Sequence, residues 1–338
     1  MITFTCESNA MSEKIAWGIV GLGNIAGKFA ADLQLLPEGE LVGVASRDLS
    51  RSERFARAFG AQKAYGSYDE LFRDPAVQVV YIATPHSYHR EHTLSALQAG
   101  KHVLCEKPLG ISASQVEEMV QAAQANQCFL MEALWSRFNP SIKEVYSLLQ
   151  GGTLGKIAYL HADFAFPALD RDPEGRLLNP ALAGGSLLDI GIYPVFLAYL
   201  LLGIPESIQV SVRFHKTGVE KQIGMLFDYP EATALLYSGF SSRSEMKAEI
   251  SCTEGTVYLS PPWHEAQSYE IRREDDTELV RHPLSGCGYT YEIEEVHHML
   301  RDGKLESQLW SWQDSRSLHG LLDQIRHKAG IEFPGQSE

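Results

Sequence analysis

A lysine, an aspartate and a tyrosine carry the chemistry most legible in this sequence. Lys107 stands in Glu106-Lys107-Pro108, directly after the apolar run 101–105. An ammonium at the carboxyl end of a strand, held by a following proline, can hydrogen-bond a hydroxyl or carbonyl oxygen. Desolvation lowers its pKa toward a useful range. Asp189 and Tyr193 lie in Gly184-Gly-Ser-Leu-Leu-Asp189-Ile-Gly-Ile-Tyr193, four residues apart, which places both on one helix face. A carboxylate and a phenol facing a lysine form a proton-handling set. The cation is expected to lower the phenol pKa, and Asp189 to orient the substrate or the lysine. Taken alone, E-K-P is a common surface tripeptide, and the Asp189–Tyr193 pair could be a hydrogen-bonded helix start. The chemistry depends on elements that bring the three together.

A second group of residues has the spacing of a dinucleotide site. Gly21-Leu-Gly23-Asn24-Ile25-Ala26 follows the apolar run 15–20 and opens a helical pattern over 24–36. In G-x-G-x-x-A the first glycine permits a tight turn. The second lets backbone approach a pyrophosphate, and the small third residue lets helix and strand pack closely. The helix start then offers amides and the positive end of its dipole to the phosphates.

The end of the second strand chooses between NAD and NADP. A carboxylate there would grip the ribose hydroxyls of NAD. This chain has Ser46-Arg47-Asp48. Ser46 can donate to a phosphate oxygen, and Arg47 can pair with the extra phosphate and stack on the adenine. Asp48 could be the ribose acid displaced in register, and Arg47 could be a solvated loop charge. NADP is favoured, with NAD as the alternative. Thr84-Pro85-His86-Ser87-Tyr88-His89 follows the third clear strand, on the sheet edge where ligands collect. It is expected to cover the nicotinamide ribose, although Thr84 or Ser87 could also cap a helix there.

The elements that must position these residues alternate in the first half. Strand patterns at 15–20, 41–45, 77–83, 101–105 and 128–133 are separated by helical patterns at 24–36, 50–59, 89–99 and 112–125. That alternation predicts an α/β fold with a parallel sheet covered by helices on both faces. Beyond Trp135 the rhythm changes. A helix over 140–150, a strand over 156–166, a polar loop over 167–183 and an apolar helix near Gly185 lead into seven strand patterns between 208 and 281. Long crossovers are absent between those seven, so this second sheet is predicted to be open and mostly antiparallel. Two helices close the chain, over 291–301 and 312–329. The domains expected are a disordered extension over 1–11, a Rossmann dinucleotide-binding domain over 12–134, and a substrate-binding and dimerisation α/β domain over 135–338.

Bulk properties narrow the function classes. The net charge of −14 over 338 residues disfavours nucleic acid and anionic membrane surfaces as partners. The most apolar stretch, 193–203, is shorter than a bilayer span. The five cysteines show no metal or redox spacing, which fits a reducing, cytoplasmic setting. No metal is expected, because the twelve histidines form no ligand cluster and His297 and His298 point to different helix faces. The alternating strands need cover on their outer face. A homodimer joined through Val210, Val212, Leu226, Leu235 and Tyr237 is expected.

The order G-x-G-x-x-A, T-P-x-x-x-H, A-G-K-H-V-L-C-E-K-P and G-G-S-L-L-D-I-G-I-Y resembles the glucose–fructose oxidoreductase and inositol dehydrogenase family (Gfo/Idh/MocA) over residues 14 to about 330. The resemblance implies a Rossmann domain followed by an α/β domain whose open sheet commonly serves dimerisation. Residues 64–71, 130–138 and 187–193 are most similar to the branch of dimeric dihydrodiol dehydrogenases and NADP-dependent D-xylose dehydrogenases. By that similarity Glu106 and Lys107 belong to the family's E-K-P motif, and Trp135, Arg137 and Phe138 line the substrate pocket. Tyr193 stands where inositol dehydrogenases carry histidine, which makes the tyrosine the acid/base candidate. The activity implied is hydride transfer between NADP and a CH–OH or carbonyl group of a small polyol, sugar or dihydrodiol. A catalytically idle NADP-binding sensor is the alternative.

Overall fold

The computed structural model describes residues 14–334, so the extension expected over 1–11 lies outside the described residues. Strands β1 (Ile15–Val20), β2 (Gly39–Ala45), β3 (Lys63–Tyr65), β4 (Val79–Ile82), β5 (His102–Glu106) and β6 (Leu130–Ala133) form one sheet in the order β3-β2-β1-β4-β5-β6. Every pairing in it is parallel. Helices α1 (Asn24–Leu33), α2 (Leu49–Phe59), α3 (Tyr68–Arg73), α4 (His89–Gln98) and α5 (Ala113–Ala125) connect the strands. The strand order reverses between β1 and β4, and a crevice opens at the carboxyl ends there. Local chemistry sets the helix ends: Ser67 and Ser112 accept from backbone amides as N-caps, and Gly60 ends α2 at φ 69°.

Two differences from the sequence expectation concern short elements. Helix α1 stops at Leu33 rather than residue 36. Residues 34–36 instead make a tightened turn before Pro37, with Leu35 N–H bonded to Asp32 O and Leu36 N–H to Leu33 O. Strand β3 and helix α3 were not expected, and at three and six residues neither is long enough to show a period.

Helix α6 (Pro140–Gln150) leads into the second sheet. Its strands are β7 (Ile157–Ala165), β8 (Ser207–Phe214), β9 (Glu220–Asp228), β10 (Thr233–Gly239), β11 (Ala248–Cys252), β12 (Gly255–Leu259), β13 (Ser268–Arg272) and β14 (Thr277–Arg281). They run in the order β14-β13-β12-β11-β7-β10-β9-β8, antiparallel except for the β7–β10 pair. Helix α7 (Ile192–Leu202) packs on β7 and β10. The apolar stretch is longer than expected, covering Pro180–Leu202, and 83% of its most apolar window is buried inside the fold.

Register corrects part of the expected interface. Val210 pairs with Met225 and Val212 with Ile223, both core residues, so the two valines face inward. Leu226, Leu235 and Tyr237 lie on the other face, where Leu235 is 42% exposed. Side chains alternate along a strand, so Val210 and Val212 cannot share that face with them.

Helices α8 (Thr290–Arg301) and α9 (Trp312–Ala329) return to the first sheet. Buried Asp32 of α1 accepts from the amides of Cys287 and Tyr289, and Trp17 of β1 donates to His297 of α8. Trp312 Nε1 donates to Leu130 O at 2.9 Å. The β1–β4 crevice is therefore held between the two sheets by elements from both ends of the chain.

Candidate active site

The crevice holds about 620 Å³ and is lined by Gly21, Gly23, Asn24, Ile25, Ser46, Arg47, Thr84, Pro85, His86, His89, Glu106 and Lys107, together with Arg51, Arg176 and Asp189. Its floor fits a pyrophosphate. Gly21 adopts φ +83°, and a Cβ there would stand 2.5 Å from the Ala83 backbone. A Cβ on Gly23 would point into open space, with no protein atom within 4 Å. Gly23 caps α1 without any side-chain hydrogen bond, which leaves the first-turn amides to a ligand.

At the end of β2 the structure corrects the expected roles. Ser46 Oγ donates to Asp48 O at 2.7 Å and accepts from Asp48 N, so its hydroxyl holds the turn instead of offering a proton to phosphate. The Asp48 carboxylate caps α2, its Oδ1 accepting from Ser50 N and Ser50 Oγ. Arg47 stays exposed on the crevice wall. Arg51, one helical turn on, reaches across to Leu22 O at 2.6 Å. The sequence reading missed Arg51, although the four-residue spacing from Arg47 was a usable signal.

The 84–89 loop divides its two histidines. His89 is fully buried, with Nδ1 2.7 Å from Pro108 O and Nε2 2.8 Å from Thr84 O. It ties the loop to the turn that follows Lys107, and both its nitrogens are occupied by backbone. His86 faces Asp189 and Lys107, and burial holds its imidazole well below the ordinary pKa.

The three chemistry residues do converge. Lys107 follows β5 directly, and its Nζ donates to Asp189 O at 2.5 Å. The same ammonium lies 3.9 Å from Asp189 Oδ1 and 4.9 Å from the centre of the Tyr193 ring. Asp189 sits in a π-helical turn, Leu187–Gly191, that feeds α7. The wider turn presents Asp189 and Tyr193 to one lysine and also bares the carbonyl that Lys107 grips. Burial lowers the Lys107 pKa, while Asp189 and Glu106 act against that shift. Burial also works to raise the Asp189 carboxyl, but Arg176 and Lys107 overcome it and hold the group below its ordinary value.

Tyr193 departs from expectation in its ionisation. Burial, with Glu106 next, pushes its pKa well above the ordinary phenol value, so the lysine does not make it acidic. Trp135 Nε1 donates to Tyr193 Oη at 2.8 Å. The phenol oxygen accepts from that indole and keeps its own proton for another acceptor.

Of the other expected pocket residues, Trp135 belongs to the site and stacks on Tyr289 at 5.0 Å between ring centres. Trp135, Arg137 and Phe138 all lie off the crevice lining, and of the three it is Trp135 that is hydrogen-bonded to Tyr193. The Arg137 guanidinium lies over the Tyr146 ring at 5.2 Å, and Phe138 is buried in the core. Their short 3-10 turn, Trp135–Phe138, sends consecutive side chains in different directions. Arg176 was also missed. It bonds Asp189 Oδ1 at 2.5 Å from within the 167–183 loop, where no periodicity marks one charge among several.

Comparison with known proteins accords with this geometry. Residues 15–134 match the model of an oxidoreductase family with an NAD-binding Rossmann fold, and residues 142–258 match the GFO/IDH/MocA C-terminal domain. Trans-1,2-dihydrobenzene-1,2-diol dehydrogenase of Homo sapiens is 39% identical over 331 residues, which is 95% of this chain and 98% of that protein. The Mus musculus enzyme of the same name is 38% identical over 333 residues, with the same coverage. Among solved structures, the 3-ketoreductase KijD10 of Actinomadura kijaniata, in complex with NADP and TDP-benzene, superposes with a TM-score of 0.83 at 26% identity, covering 94% of this chain and 98% of that one. The aldose-aldose oxidoreductase of Caulobacter crescentus, complexed with glycerol, gives 0.85 at 25% identity with the same coverage. With both family models matched in order and relatives aligned nearly end to end, the chain belongs to the GFO/IDH/MocA oxidoreductase family.

Proposed function

We propose that the protein is an NADP-dependent oxidoreductase acting on a CH–OH or carbonyl group of a small polyhydroxylated substrate, a sugar or a trans-dihydrodiol. The observation that carries this is the convergence of Lys107, Asp189 and Tyr193 at the carboxyl edge of the first sheet, beside the glycine turn. The division into a cofactor domain, read from the sequence as 12–134, and a substrate and dimerisation domain, read as 135–338, belongs to the same proposal. A bound nicotinamide supplies or accepts the hydride. The protein's residues manage the accompanying proton. Tyr193 is a neutral phenol whose oxygen is held by Trp135, so its proton is available to a substrate oxygen in the reductive direction. The Trp135 N–H stabilises the phenolate left behind. Lys107, gripped by Asp189 O and partly desolvated, places a positive charge over the Tyr193 ring, 4.9 Å from its centre. Arg176 holds the Asp189 carboxylate and so fixes the turn that carries both partners.

An idle NADP-binding sensor would not need a lysine, a carboxylate and a hydrogen-bonded phenol around one point. A panel of aldoses, polyols and trans-dihydrodiols, followed by reduced-cofactor absorbance with NADP and with NAD, tests the proposal. Turnover of none of them would favour the sensor. Arg47 and Arg51 flank the site where the extra phosphate of NADP would lie. Arg47→Ala is expected to weaken NADP far more than NAD, by about 1–3 kcal/mol for a lost charged hydrogen bond. Equal loss for both cofactors, in fluorescence titration, would remove Arg47 from the phosphate site.

A cytoplasmic location is part of the same proposal, resting on the free cysteines among the described residues. So is a homodimer through the outer face of the second sheet. Leu226, Leu235, Tyr237, Tyr159 and Tyr258 share that face by register. Sedimentation at micromolar concentration is expected to give a dimer, and Leu235→Glu to shift it toward monomer. A wild-type monomer would refute it.

A further inference from the structure

His264 stands in the substrate end of the site, and neither the motifs nor the proton-transfer set accounts for it. It lies in the short turn Trp263–Glu265 between β12 and β13. Its ring stacks on Phe164 at 4.2 Å and 20°, and lies 5.2 Å from the Tyr193 ring and 6.0 Å from Trp135. The turn is held in place from three sides. Ser136 Oγ donates to His264 O at 2.5 Å, Trp263 Nε1 to Asp163 O at 2.8 Å, and Trp263 N to Met246 O at 2.9 Å. Yet the His264 side chain, 7% exposed, keeps its Nδ1 buried with no hydrogen-bond partner. Buried polar atoms are nearly always paired, and an orphan beside a reaction centre points to a ligand.

We propose that His264 is a substrate-binding residue that exchanges a hydrogen bond with a non-reacting hydroxyl of a neutral polyol. This rests on the function proposed above and narrows it. The aromatic cage and the Lys107 charge decide what the imidazole can bind. Burial, followed by Lys107 and Lys28, lowers its pKa to about 3, so the ring stays neutral with one donor and one acceptor nitrogen. A hydroxyl, itself both donor and acceptor, matches that ring. A phosphate or carboxylate calls for a cation, which this ring does not supply. The stacked Phe164 and the nearby Trp135 suit the apolar C–H face of a sugar ring. The His264 position therefore selects free sugars and polyols over sugar phosphates, and over diols with no hydroxyl beyond the reacting pair.

The test compares D-xylose, D-xylose 5-phosphate and trans-1,2-dihydrobenzene-1,2-diol as substrates of the NADP-loaded wild type, His264→Phe and His264→Asn. Melting temperature and NADP affinity are measured first, to show that each variant is folded. The wild type is expected to prefer the free sugar to its phosphate. His264→Phe keeps the stack on Phe164 and removes both nitrogens. It is expected to raise KM for D-xylose about tenfold or more, the scale of one lost hydrogen bond, with kcat nearly unchanged. The dihydrodiol should be little affected, so the ratio of the two kcat/KM values falls. His264→Asn restores a donor and an acceptor and should recover part of the loss. A wild-type ratio in both variants, or equal losses on both substrates, overturns the assignment while leaving the oxidoreductase proposal intact. Absence of turnover by the wild type on the whole panel overturns both.

Discussion

Lys107→Met is expected to lower turnover at least about a hundredfold on a confirmed substrate, the usual scale for a general acid–base group, while NADP affinity is nearly kept. Methionine matches the lysine in length but carries no charge. The loss has two sources. The ammonium would no longer offset charge developing on the substrate oxygen, and Asp189 O would lose the donor now 2.5 Å away. Tyr193→Phe removes the transferable proton and leaves Trp135 Nε1 without its acceptor, so a loss of similar size is expected. Lys107 lies over the Tyr193 ring at 4.9 Å, and the proposed scheme has both groups act on one oxygen. The double variant should therefore lose less than the product of the single losses. Steady-state kinetics on the three variants, with cofactor binding measured separately, checks this. Near-normal turnover by Lys107→Met would refute the proton-handling scheme even with the cofactor site intact.

The parts of this site that were legible in the sequence have strong local rules behind them. Gly21 is marked by a turn and a close backbone approach that only glycine permits, and Gly23 by its place in the motif at the start of α1. Lys107 is marked by its place at a strand's end before Pro108, and the Asp189–Tyr193 pair by its spacing. The parts that were not legible depend on tertiary contacts. Nothing local says that the Ser46 hydroxyl turns back to Asp48 O, or that Arg137 swings away to Tyr146 while Trp135 stays in the site. Arg176 and His264 come from loops without a period, and they meet Asp189 and Tyr193 only because two sheets are packed together. The Tyr193 ionisation was misjudged because a nearby cation was weighed without the burial that opposes it. The Val210 and Val212 assignment failed on register, which depends on pairing partners and not on a strand's own alternation.

Replacing Glu132 should have the largest effect on stability. This carboxylate of β6 is buried and takes four donors from distant parts of the chain. Oε1 accepts from Leu109 N at 2.8 Å and from His319 Nε2 at 3.0 Å. Oε2 accepts from Ser315 Oγ at 2.8 Å and Trp310 Nε1 at 3.2 Å. One side chain thus fastens α9 to the turn after Lys107. Glu132→Ala strands all four donors in a dry interior, and a loss of about 3–5 kcal/mol in unfolding free energy is expected, as for a broken buried pair. Chemical denaturation at pH 7 measures it, and a loss below about 1 kcal/mol would show that the region relaxes around the gap. Glu132→Gln adds a dependence on pH. Burial alone raises the Glu132 pKa, but His319, the Leu109 amide and Ser315 together hold it below the ordinary 4.5. The folded carboxyl therefore titrates at lower pH than the unfolded one. Its contribution is complete above the unfolded value and disappears as pH falls through the folded value. Glutamine cannot ionise, so the stability gap between wild type and Glu132→Gln should be widest at neutral pH and narrow below about pH 4.5. A gap that stays constant with acidification would mean that Glu132 acts by shape and not as a carboxylate.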